Sequence, residues 1–281
     1  PKNFPAGNLN IDHLFSKTID LGHLQLRGSP QKKHWLLKDL KLDSREYQVR
    51  VEGKWQERKG KQESTVDIGL TTNKLSAILK RFGYPDLMQA KQGYISFKGK
   101  WPGAIYDPKV ENITGDLAFT FKNGVISELS KETEEKIGLG KMLSIFSLQT
   151  IPRRLRLDFS DLSNSGYSFD KMEANFHLAH GVLSTRDASV NGPVAHASMK
   201  GSLNIKNKQC DLKLQVSPHI TASLPVVATI AGGPIAGVAA WIVNKIISRE
   251  MEKVTSYTYL VKGSWAQPEI IQGSINRQKR K

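Results

Sequence analysis

The sequence predicts a mainly β chain of successive antiparallel strands, with short helices near residues 73–83 and 141–150 and an apolar helical element in 220–253. Three observations predict it. Apolar and polar residues alternate with a period of two in many runs, as in strands with one apolar face. Turn-forming residues separate the runs, and a strand unit ending in Gly-x-Trp recurs along the chain.

In chain order, the alternation first shows at Tyr47, Val49 and Val51, then at Val66, Ile68 and Leu70. Leu75, Ile78, Leu79 and Phe82 then fall on one helical face, with Thr72 or Asn73 as N-cap and Gly83 and Pro85 as stop. Strand spacing returns at Ile95, Phe97 and Trp101 and at Leu117, Phe119 and Phe121, followed by a turn signal at Lys122-Asn123-Gly124. A short helix over Lys141–Thr150 ends at Pro152, and Leu155, Leu157 and Phe159 alternate after it. Asn191-Gly192-Pro193 and Lys206-Asn207-Lys208 read as turns around Ala195, Ala197, Met199, Gly201, Leu203 and Ile205. Cys210, Leu212, Leu214 and Val216 form the next apolar face.

The repeat is carried by Gly53-Lys54-Trp55, Gly99-Lys100-Trp101 and Gly263-Ser264-Trp265, with Gly201-Ser202-Leu203 as a degenerate copy. It suggests a sheet extended by adding similar strand units. Residues 1–219 therefore form the sheet region, 220–253 a broken apolar helical element, and 254–281 a final strand with a basic tail.

Ile220 to Asn244 contains no charged residue over 25 positions. A bilayer span needs about 20 apolar residues, so length suffices. Pro225 and Gly232-Gly233-Pro234 break the segment into short pieces, which suits packing against a sheet end or shallow contact with a bilayer. Val226, Val227, Ile235, Val238, Trp241, Ile242 and Ile246 are the candidate membrane-contact residues.

The 281 residues include 41 Lys or Arg and 26 Asp or Glu, a formal net charge of +15, with 39% hydrophobic residues. That composition excludes a disordered tail. The basic residues mostly share the polar faces of strands with acidic ones; Arg153-Arg154-x-Arg156 and Arg277–Lys281 are the exceptions. A solvated surface explains most of the charge, with anionic lipid headgroups as the next reading and nucleic acid set aside for want of a fold signature. The chain opens on Pro1-Lys2-Asn3-Phe4 without a signal-peptide pattern, and we read it as part of a longer protein.

No catalytic constellation emerges. Gly138-Leu139-Gly140-Lys141-Met142 lacks the first glycine and the Ser or Thr of a phosphate loop. There is no Gly-x-Ser-x-Gly elbow and no His-Glu-x-x-His helix. His177 and His180 fall on opposite faces of a strand and suit shared metal ligation poorly. The single cysteine, Cys210, excludes an internal disulfide and reads as a small buried hydrophobe. No cofactor is expected.

An apolar sheet face must be covered. A sandwich or closed barrel is the usual solution; an open curled sheet whose apolar face holds lipid chains is the other. A two-chain phospholipid carries about 30 methylenes at about 0.8 kcal/mol each, so bare chains in water cost about 25 kcal/mol. An apolar trough removes that penalty at every position along its length.

The order of motifs adds a resemblance to a known family. Gly140 to Asp161, with Ser147-Leu148-Gln149-Thr150-Ile151-Pro152-Arg153-Arg154 at its centre, resembles a stretch of the YhdP branch of AsmA-like proteins. Gly166-Tyr167-Ser168-Phe169-Asp170, Gly192-Pro193-Val194-Ala195, Val216-Ser217-Pro218, Ser223-Leu224-Pro225 and Gly263-Ser264-Trp265 with Pro268 are similar too. The resemblance spans about residues 83–268 and is sharpest over 140–270.

That resemblance implies an elongated, curled, open β-groove at the C-terminal, outer-membrane end of a periplasmic protein. An N-terminal segment outside this sequence would anchor it in the inner membrane. It further implies a non-enzymatic carrier of phospholipid, monomeric, meeting the outer-membrane inner leaflet or a partner on that side. The acyl chains would lie against Ile95, Phe97, Phe119, Phe121, Leu155, Leu157, Phe159, Phe169, Met199, Leu203, Leu212, Leu214 and Val216. The rival is an envelope scaffold with a dry, closed β core.

Overall fold

The computed structural model describes residues 1, 3–82, 88–126, 167–193, 195–219, 254–265 and 268–277. Among them, thirteen strands form one antiparallel sheet in sequence order. The first five are β1 (Gly7–Ser16), β2 (Ile19–Pro30), β3 (His34–Asp43), β4 (Tyr47–Arg58) and β5 (Lys61–Thr72). Helix α1 (Leu75–Arg81) precedes β6 (Met88–Pro102), and a 3-10 turn at Val110–Asn112 precedes β7 (Thr114–Ile126). Then follow β8 (Tyr167–Ala179), β9 (Val182–Asn191), β10 (Ala195–Asn204), β11 (Gln209–Pro218), β12 (Val254–Ser264) and β13 (Pro268–Arg277). The sheet does not close: β1 and β13 are its two edges. The expected open, curled sheet is what forms.

An all-neighbour antiparallel order fixes where the connections go. Links after odd-numbered strands leave at one rim, and those after even-numbered strands at the other. The second rim carries short turns, such as 59–60 and 180–181, together with the 103–113 loop. At the first rim lie α1, the end of β7 and start of β8, and the end of β11 and start of β12. The helices expected over 141–150 and 220–253, with Leu155, Leu157 and Phe159, fall outside the described residues, as do the seven candidate membrane-contact residues.

Two hairpins owe their tightness to paired left-handed residues. Lys59 and Gly60 (φ 50° and 72°) and His180 and Gly181 (φ 51° and 72°) have positive φ at both central positions, as a type I′ turn requires. His180 is thus a turn residue.

Three readings are corrected. Lys122-Asn123-Gly124 is not a turn: it lies inside β7, where Asn123 has φ 52°. The alternation slips there by one residue, and it slips at Lys91-Gln92 in β6 and Asp170-Lys171 in β8 beside it. The slips align, so pairing continues on both sides while the sheet bends. Helix α1 is shorter than expected, with Lys74 at the N-cap position and no side-chain cap. The Thr72 hydroxyl accepts the Lys74 N–H at 3.0 Å and donates to the Glu46 carbonyl at 2.7 Å, and Phe82 is 51% exposed beyond the last turn. Residues 254–281 give two strands where one was expected, because a bulge between β12 and β13 hides the period-two pattern of the second.

Candidate apolar groove

The strand register joins single apolar residues into rows that cross from strand to strand. One row runs Leu9, Leu26, Leu40, Val51, Ile68, Phe97, Leu117 and Phe176 from β1 to β8. It continues through Thr185, Gly201, Leu212, Val261 and Ile270 to β13. A second row runs Ile11, Leu24, Leu42, Val49, Leu70, Ile95, Phe119 and Ala174. With neighbouring strands about 4.8 Å apart, twelve intervals make the first row about 58 Å long.

Burial along this face is graded. Leu9 at the β1 edge is 49% exposed, and Val51, Ile68, Phe97 and Leu117 are half-buried. From β8 to β12 the same face is closed off: Val190, Val216 and Val261 are at most 1% exposed. The ten described residues expected to line a groove all belong to this face. Phe121, Phe169, Met199, Leu212, Leu214 and Val216 are buried in one cluster, and Ile95, Phe119 and Leu203 pack against it. Phe97 is half-buried opposite Leu117. Phe119 stacks with Phe121 and Phe176 at 5.2 and 6.2 Å between ring centroids.

Sequence reading missed Met172, Val190, Tyr257, Tyr259 and Val261, which complete the buried part of the face. Their alternation was present at Tyr257, Tyr259 and Val261. Polar phenol and hydroxyl groups in that run, Ser256 and Thr258 included, masked it.

The Gly-x-Trp repeat has a spatial reason. Gly53, Gly99 and Gly263 fall in one cross-strand row, with Gly28 and Gly115 in it too. The degenerate copy does not join them, since Gly201 lies in the neighbouring row beside Leu212. Bare glycines let rings lie flat on the backbone: a Cβ on Gly28 would stand 2.3 Å from the Trp35 ring, and one on Gly99 2.4 Å from Phe97.

The four described tryptophans stand at the short-turn rim. Their indole N–H groups donate to Pro5 O from Trp35 (3.1 Å), Gln62 Oε1 from Trp55 (3.1 Å), Ala104 O from Trp101 (2.8 Å) and Gln209 O from Trp265 (2.8 Å). Phe4 and Tyr106 extend this rim, packing on each other and on Trp55. At the other rim α1 covers the face with Leu75, and Arg81 fastens it by donating to Asp20 O at 2.7 Å and to Glu46 Oε2 at 2.8 Å.

The opposite face is polar. One row there reads Glu52, Asp67, Lys98, Asp116 and His177. Lys98 pairs with Asp67 and His177 with Asp116, each at 2.8 Å, and the hydrogen bond to Asp67 raises the Lys98 pKa. These side chains surround a depression of about 730 Å³. Exposed pairs of this kind contribute little to stability. Cys210 is buried with its thiol 3.4 Å from the Gly263 carbonyl oxygen, and burial pushes its pKa up. Among the described residues no three His, Cys, Asp or Glu side chains are placed to hold a metal. No described helix is long and apolar enough to cross a membrane.

The chain is 26% identical over 240 residues to the intermembrane phospholipid transporter YhdP of Escherichia coli (strain K12). The match covers 85% of this chain and 18% of that protein, so the chain spans under a fifth of its relative's length. No solved structure matches. The model of the YhdP protein family matches residues 1–270, and the chain belongs to that family of AsmA-like proteins.

Proposed function

We propose that this chain carries phospholipid between the inner and outer membranes by sliding acyl chains along the apolar face of its open sheet. One observation supports this above others: an almost wholly apolar row crosses thirteen strands without a charged residue. At about 0.8 kcal/mol per methylene, a chain moving along such a row keeps its apolar cover throughout. Headgroups would remain in solvent or meet basic residues at the rims. The carrying surface comprises Ile95, Phe97, Phe119, Phe121, Phe169, Met199, Leu203, Leu212, Leu214 and Val216, with Leu155, Leu157 and Phe159 of the 127–166 link completing it. The chain acts without catalysis, as a monomer in the periplasm. It sits at the outer-membrane end of a protein anchored in the inner membrane, and Val226, Val227, Ile235, Val238, Trp241, Ile242 and Ile246 touch the outer-membrane inner leaflet or a partner there.

A second reading, an envelope scaffold with a dry core, is favoured by the near-complete burial of Val190, Val216 and Val261. Solvent extraction and native mass spectrometry of the purified chain separate the two. Co-purified phospholipid is the expected result. A folded chain that carries none supports the scaffold.

A further inference from the structure

Tyr259 stands apart from the other buried polar groups. It is 3% exposed on the apolar face of β12, and its hydroxyl is buried without a hydrogen-bond partner. Comparable groups are matched: Tyr47 donates to Leu21 O at 2.9 Å and Ser64 to Gly103 O at 2.9 Å. A buried phenol normally finds an acceptor, because an unpaired hydroxyl in an apolar setting is unfavourable. Tyr259 lies directly across from Leu214, which lies across from Met199. It therefore projects onto the face that the preceding reading assigns to acyl chains.

We propose that the Tyr259 hydroxyl donates a hydrogen bond to an ester carbonyl of a diacyl lipid lying on this face, so that β12 is a resting point that holds the lipid's glycerol region. The inference rests on the groove reading. The environment selects the ester over the phosphate. In the register Tyr259 lies across from Leu214 on β11 and Gln272 on β13. Leu212, Val216, Tyr257 and Val261 hold the adjoining apolar positions of β11 and β12, and no Lys or Arg is among these neighbours. A phosphate there would lie desolvated and unpaired, whereas an ester carbonyl is neutral and needs only one donor. The burial that leaves the hydroxyl unmatched also raises its pKa, which keeps it protonated and a donor. The mostly apolar face thus presents a hydroxyl beside Leu214 and Met199, able to slow a lipid without a catalytic step.

The test uses the delipidated full chain, incubated with vesicles of diacyl phosphatidylglycerol or of its di-O-alkyl analogue. The analogue has the same headgroup and chain length but no ester carbonyl. Lipid retained per chain is measured after gel filtration. The wild-type chain is expected to retain the diacyl lipid about fivefold better, the factor supplied by one neutral hydrogen bond. Tyr259→Phe is expected to hold both lipids at the di-O-alkyl level while melting no lower than the wild type. Equal retention of the two lipids by the wild type overturns the ester contact and leaves the groove reading standing. An equal drop for both lipids in Tyr259→Phe assigns the hydroxyl to the headgroup and also overturns it. Retention of neither lipid by the wild type removes the groove reading, and this inference with it.

Discussion

Gly115 of β7 faces Gly99 of β6 so closely that a Cβ on Gly115 would stand 2.6 Å from the Gly99 Cα and 2.4 Å from the Lys98 carbonyl oxygen. The clash is with backbone and cannot be relieved by a rotamer. On Gly99 the clash is with the tip of the Phe97 ring, which can swing aside. Gly115→Ala is therefore expected to lower stability by about 2–3 kcal/mol, and Gly99→Ala by about 1 kcal/mol. Urea midpoints of the two variants check the order, and an equal loss contradicts it.

Arg81 offers a second test, at the opposite rim. Its guanidinium binds both a carbonyl of the β1–β2 region and the Glu46 carboxylate, and both Arg81 and Glu46 side chains are largely covered. Arg81→Ala is expected to cost about 1–2 kcal/mol and to speed amide exchange in α1 before exchange in β6. Uniform acceleration across the sheet would show that α1 does not open as its own unit.

The burial gradient predicts opposite outcomes for two similar substitutions. Phe97 is half-buried, whereas Leu214 is 2% exposed among packed neighbours. Phe97→Asp is expected to stay folded and lose lipid crosslinking. Leu214→Asp, with a carboxylate forced into an apolar cluster, is expected to unfold by circular dichroism. A Leu214→Asp chain that stays folded contradicts the tight packing around Leu214.

Acid sensitivity has a definite sign at Asp187. The Asn175 side-chain amide donates to its carboxylate at 2.6 Å, and this bond, opposed by burial, holds the pKa below the ordinary carboxylate value. A depressed folded-state pKa contributes stability above the unfolded value of about 3.9 and loses it as pH falls through the folded one. Asp187→Asn is expected to weaken the chain at pH 7 and to flatten its stability profile below pH 4. An unchanged acid limb in urea titrations contradicts this role.

Much of the sheet was legible because side-chain period and burial coincide. Leu212, Leu214 and Val216 alternate in sequence and are buried in space. Legibility fails where the backbone departs from regular pleat. The aligned slips at Lys91, Asn123 and Asp170 turn a turn-like triplet into mid-strand, and the bulge opposite Tyr257 and Tyr259 conceals β13. The Gly-x-Trp repeat was visible as a motif, but only the register reveals that three of its glycines occupy one row. Tyr259 could not be singled out from sequence, since an unmatched hydroxyl is a property of surroundings and not of residue type.

The unequal rims carry a consequence for how such a chain can change. The three longest links, the one with α1 included, depart from one long side, while the other carries tight bends, the 103–113 loop and anchored indoles. Long insertions between strands can therefore be carried mainly along one margin without disturbing the strand-to-strand pitch, which leaves the width of the apolar face independent of whatever is grafted beside it.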